Sequence, residues 1–176
     1  MRKSLLALAR VGLVALMLVV AVLPSGTALA GGKPAAFSTQ GSITSIDEGQ
    51  VKPAGGSGRF VVSARSVGGD LYGPDLVGAY TLNFGTNVPI TTQSGQFHGT
   101  LSVAGGYEAA VQGSTSLGLT PIGYPGLLID GTLTFTEGTQ GHGQVSGWLI
   151  PNIDPNTGHI VGVLAGAVSV NGAWHQ

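Results

Sequence analysis

The 176-residue chain contains no cysteine. Disulfides, thiolate-held zinc or iron–sulfur centres and thiol nucleophiles are therefore excluded, each for want of its sulfur. Charge is nearly as scarce: 9% of residues are charged, and seven basic against eight acidic side chains leave a formal net charge of −1. A polyanion-binding surface shows as a basic stripe, and none is present, so nucleic acid is not an expected partner. Helix signals are missing beyond residue 30, where no glycine-free window sets apolar residues at i, i+3, i+4 and i+7. Enzyme fingerprints are thin as well. Ser57 sits in Ala54-Gly55-Gly56-Ser57-Gly58, which lacks the spacing of a nucleophile elbow. Gly141-His142-Gly143-Gln144-Val145-Ser146 fails the dinucleotide pattern at its last glycine, and no Gly-Lys-Ser/Thr exists for a phosphate loop.

What is present begins with an export signal. Met1-Arg2-Lys3 is basic, Val11 to Leu23 is apolar apart from Gly12, and Ala28-Leu29-Ala30 offers the small-x-small site of signal peptidase. That order predicts a signal peptide over residues 1–30, cleaved after Ala30, with an uncleaved anchor as the alternative. The product is expected outside the cytoplasm with no stable membrane span, because the apolar run is short of the roughly 20 residues a helix needs to cross a bilayer. It keeps four basic residues, Lys33, Lys52, Arg59 and Arg65, against all eight acids, a net charge of −4.

Glycine dominates the remainder of the chain. The 146 residues after Ala30 hold 29 of the 31 glycines, far above the roughly 7% of average proteins. Eight windows rich in Val, Ile, Leu, Thr and aromatics alternate with Gly, Pro, Asn and Asp clusters: 38–47, 58–66, 76–84, 94–103, 106–115, 127–137, 141–150 and 159–174. This pattern predicts an all-β domain over 38–176, a single small antiparallel barrel of about eight strands, with a β-sandwich as the alternative. Residues 31–37 are expected to form a disordered leader, and 120–126 a surface loop.

Strand alternation assigns faces. Phe97, Gly99, Leu101 and Val103 oppose His98, Thr100 and Ser102; Ile129, Gly131, Leu133 and Phe135 oppose Asp130, Thr132 and Thr134; Val145, Gly147 and Leu149 oppose Gln144, Ser146 and Trp148. Each copy reads apolar-x-Gly-x-Leu. A glycine recurring mid-face marks strands coiled around a narrow barrel. Phe97, Leu101, Leu133, Phe135 and Leu149 are then the expected lining of a small apolar ligand cavity. His98 and Asp130 share the polar face, and as imidazole and carboxylate are the candidate acid–base pair, a pairing that requires both to enter a cavity. Trp148 is an expected surface aromatic, a binding platform or an interface anchor. From Ile160 to Val170 both faces are apolar or small, which predicts a bent strand covered on both sides and a candidate homo-oligomer contact.

Asp154-Pro155-Asn156-Thr157-Gly158 has the spacing that opens a calcium loop, but the acid expected further on is replaced by Val161-Gly162-Val163. Too few oxygens remain for calcium, and a metal-free turn is expected. The stretch from Ile153 to Ile160 resembles the hairpin turn of cadherin-like repeats, a likeness that implies only a turn. His98, His142, His159 and His175 include no pair at metal-binding spacing, so no metal and no cofactor is expected. Gly78 to Phe84 and Gly95 to Leu101 resemble the first hairpin of avidin-type barrels, and Gly138 to Gly147 resembles a hairpin of allene oxide cyclase-like barrels. Each likeness covers a single hairpin and carries over no binding residue.

The expected function is non-catalytic: binding of a small apolar ligand, or an extracellular structural part. Two alternatives are an isomerase- or cyclase-like small barrel using His98 and Asp130, and an eight-stranded outer-membrane barrel.

Overall fold

The computed structural model describes residues 33–56, 58–89, 94–137 and 140–175; the expected signal peptide and its cleavage site lie outside them. Nine strands follow in chain order: β1 (Ala35–Asp47), β2 (Gln50–Pro53), β3 (Arg59–Tyr72), β4 (Val77–Pro89), β5 (Ser94–Val103), β6 (Tyr107–Leu119), β7 (Pro125–Glu137), β8 (Gln140–Ile153) and β9 (Ile160–His175). From β3 to β9 each strand pairs antiparallel with the next. Strand β1 then pairs with β9 on one side and β3 on the other, which closes an eight-stranded up-and-down barrel with β2 as an extra strand. Closure satisfies the backbone groups that an open sheet would leave at its edges.

Strand β2 continues the path of β1 along the upper half of β3 after a kink at Glu48 and Gly49. Gly49 takes a φ of 71°, and a Cβ there would collide with the Ser63 carbonyl oxygen. Opposite the kink, β3 bulges: Ala64 has a φ of 53° and the β3–β4 register shifts between Val62 and Arg65. The bulge has a sequence cause. Val62 and Val67 are both buried although an odd spacing separates them, so an extra residue must be accommodated between them.

Inside the barrel the apolar faces meet. Phe97, Leu71, Leu133 and Leu149 are almost wholly buried, each contributing about 1.5–3 kcal/mol relative to exposure. Phe97 sits directly opposite Gly113, whose other neighbour across the sheet is Gly131. A Cβ on Gly131 would come within 3.2 Å of the Phe97 ring, and one on Gly113 would run into the Asp130 carbonyl oxygen. The mid-face glycines thus let a large ring and neighbouring backbone share a narrow interior.

The two ends differ. At one, Trp174 stacks on Phe37 and on Tyr107 with ring centroids 4.5 and 5.7 Å away, and Phe135 meets Trp174 edge-on at 5.7 Å. Thr39, also buried there, donates from its hydroxyl to the Leu76 carbonyl at 2.9 Å. Aromatic rings therefore plug this end. The other end carries the β2–β3, β4–β5, β6–β7 and β8–β9 connections.

Two expectations are corrected. The leader does not extend through residue 37: β1 starts at Ala35, pairs with Trp174, and buries Phe37 in the core. Nor is β9 covered on both sides. The β8–β9 register passes from Ile150–Ala165 to Pro151–Val163, which makes Leu164 the extra residue of a bulge. Alternation reverses there, so Val163 packs against the core while Leu164 is exposed, and a second register shift between Asn152 and Ile153 makes Val161 an extra, exposed residue as well.

Candidate functional site: the open mouth of the barrel

The barrel interior is packed. Between Leu71, Tyr80, Leu82, Leu101, Ile129 and Val170 only about 10 Å³ of space remains, at most the room of one water. Phe97, Leu101, Leu133, Phe135 and Leu149 do point inward and are buried, but their side chains fill the volume that a ligand would need. The expected interior cavity is therefore replaced by a core.

Space opens at the end opposite the aromatic plug. A concavity of about 320 Å³ is lined by Ile46, Val51, Phe60, Val62, Arg65, Gly95, Thr115, Leu117, Leu127, Leu149, Pro151 and Ile160. Leu149 is the one residue of the predicted lining that reaches it. Val62, Thr115 and Leu149 are buried, whereas Val51, Phe60 and Leu117 remain exposed at its rim. Leu119, Ile122 and Tyr124 extend exposed apolar surface along the same end. Two polar side chains interrupt the lining, Thr115 and Arg65.

Arg65 faces inward because the Ala64 bulge resets alternation, leaving it two residues from the buried Val67. Its Nε donates to the Glu48 carbonyl at 3.2 Å. Burial lowers the guanidinium pKa while the nearby Glu48 charge opposes that shift, and the group stays protonated at physiological pH. The Glu48 carboxylate is engaged elsewhere: Oε1 lies 2.6 Å from Nδ1 of His159, and Oε2 accepts the Ile160 N–H at 3.1 Å. The Ile160 bond and the His159 contact hold its pKa below the ordinary carboxylate value.

The other predicted site residues lie on the outer wall. His98 and Asp130 are both exposed, as alternation requires once the apolar face is inside. Strand β6 separates them: Gln112 faces His98, and Ser114 faces Asp130. Strands are spaced about 4.8 Å apart and rise about 3.4 Å per residue, so two strand spacings and a two-residue offset separate the pair by about 12 Å, and no hydrogen bond joins them. They border an open polar trough with Gln96, Gln112, Thr132 and Gln144. The cavity that an acid–base pair requires is absent around them. Trp148 is half-buried on the outer wall, beside Leu128 and Ala167.

The Asp154 loop forms a turn between β8 and β9. Asp154 Oδ1 accepts the Asn156 N–H at 2.9 Å and its side-chain amide at 3.2 Å, and Oδ2 accepts the Thr157 hydroxyl at 3.0 Å. These bonds, the Asn156 N–H first, lower the Asp154 pKa. Both oxygens are spent within the turn, and among the described residues no three of His, Asp and Glu converge on one point.

Sequence reasoning missed Arg65 and the mouth. The available signal was the odd spacing of Val62 and Val67, which demands a bulge and turns Arg65 inward. The chain matches no protein-family model, and no curated protein or solved structure is significantly similar to it.

Proposed function

We propose that this protein is an exported binding barrel that takes a small apolar molecule at its open mouth. The observation that carries this reading is the apolar concavity of about 320 Å³ at the loop-bearing end of an otherwise filled barrel. Its size falls at the lower end of small-molecule sites. The exposed apolar rim of Val51, Phe60 and Leu117 adds surface that gains free energy when water is displaced. Packed strands hold the site in place, so an occupant need not order the barrel. The outer wall favours a water-exposed barrel over a lipid-embedded one: Gln40, Gln96, Gln112, Asp130, Thr132 and Gln144 face outward, where an outer-membrane barrel presents an apolar band. The N-terminal signal supports export, and intact mass of the processed protein is expected to begin at Gly31.

Titration with a neutral apolar fluorophore such as N-phenyl-1-naphthylamine tests the reading. Saturable binding is expected, weakened about tenfold or more by Leu117→Asp, which places a charge at the rim of the site. Leu117 is 57% exposed, so the fold should tolerate the change. No saturable binding, or binding indifferent to Leu117→Asp, would refute it.

A further inference from the structure

An apolar mouth alone needs no cation, yet this one holds a half-buried arginine. Ala64 occupies a left-handed conformation that non-glycine residues seldom adopt. The bulge built on it places Arg65 on the inner face, among Val62, Leu127 and Ile160. Bringing a guanidinium into apolar surroundings carries a desolvation cost unless a partner answers it.

The protein itself answers it only in part. Among the described residues Arg65 makes one hydrogen bond, from Nε to a backbone carbonyl. The carboxylate whose charge acts on it, that of Glu48, is held by His159 and the Ile160 N–H, and among the described residues its close contact is with the His159 ring, not Arg65. The terminal nitrogens of the guanidinium remain for a ligand. They form the fork that meets a carboxylate bidentately.

Resting on the mouth-binding reading above, we propose that the occupant is an apolar monocarboxylate, its head group on Arg65 and its chain against Phe60, Val62, Leu117 and Leu127. The charge balance selects this class. One cation in an apolar lining neutralises one negative charge, whereas a dianion such as a phosphate monoester would leave the second uncompensated where water is sparse. Thr115, the other polar side chain of the lining, supplies a hydroxyl capable of donating to an anion or accepting from an acid.

A matched pair of ligands tests this directly. Decanoate and 1-decanol share a chain length and differ in the head group, and calorimetric titration of the purified protein gives both affinities. Decanoate is expected to bind about tenfold or more tighter than decanol. Arg65→Met should reduce that ratio to about twofold or less, and Arg65→Lys should restore part of it. Equal binding of the two by the unmodified protein would overturn the carboxylate while leaving the mouth as an apolar site. Binding of neither would overturn both readings. A decanoate preference that survives Arg65→Met would remove Arg65 from the site. The comparison on unmodified protein needs no variant, so poor folding of Arg65→Met would leave the proposal testable.

Discussion

The Glu48 carboxylate ties the kink after β1 to the start of β9, with Oε1 2.6 Å from His159 Nδ1 and Oε2 accepting the Ile160 N–H. The β1–β9 ladder ends at Ser42 and Ala167, so above that point a side chain does what backbone pairing does below it. The seam splits at the mouth, and Glu48 clips it.

This clip has a defined pH dependence. Its hydrogen bonds, that from Ile160 first and that with His159 next, lower the Glu48 pKa in the folded protein. A depressed carboxylate pKa contributes stability above the unfolded value and loses it as pH falls through the folded value. The clip should therefore persist through neutral and mildly acidic solution and fail below the usual carboxylate range. NMR titration of the Ile160 amide should show a midpoint below the ordinary carboxylate value of 4.5. A midpoint at or above that value would contradict the assignment, and Glu48→Gln should abolish the transition.

Thr86 offers a gain in stability. Its side chain is buried and its hydroxyl finds no hydrogen-bond partner among the described residues. An unsatisfied buried polar group costs about 1–3 kcal/mol. Thr86→Val keeps the shape and removes the hydroxyl, so the urea midpoint should rise by the equivalent of about 1 kcal/mol. A fall would mean that the hydroxyl is satisfied in solution.

The mid-face glycines should rank by what their missing Cβ would strike. Gly113→Ala drives a methyl into the Asp130 carbonyl oxygen, while for Gly131→Ala the nearest atom, the Gln112 carbonyl oxygen, is at 2.8 Å. Both should destabilise, Gly113→Ala by more than about 2 kcal/mol and Gly131→Ala by less. Equal costs in chemical unfolding would show that the wall relaxes around both. Leu133→Ala, which leaves a void in the packed core, should cost about 2–5 kcal/mol.

Much of the barrel was legible because alternation is a local signal. The window 94–103 coincides with β5, and the three apolar-x-Gly-x-Leu copies do line the interior, which in turn put His98 and Asp130 outside. What escaped depends on partners distant in sequence. Gln50-Val51-Lys52-Pro53 is short and exposed at every position, and only pairing with β3 makes it a strand. Ala35 to Phe37 looks like a tail until β9 arrives beside it. The Leu164 and Ala64 bulges each reverse alternation, so strict period-two reading assigned β9 the wrong faces and gave Arg65 no direction. The mouth escaped for the same reason: its lining comes from many strands, and no one segment announces it.

The pairing of Ala35 with Trp174 bears on how the molecule can be handled. First and last strand meet at the ring-plugged end, so a tag, carrier or surface linker joined through either terminal strand hangs from that end and leaves the mouth facing away. The two attachment points are interchangeable in orientation. Linking them directly and reopening the chain in the 120–124 turn would yield a permuted barrel with the same wall, its new ends beside the mouth.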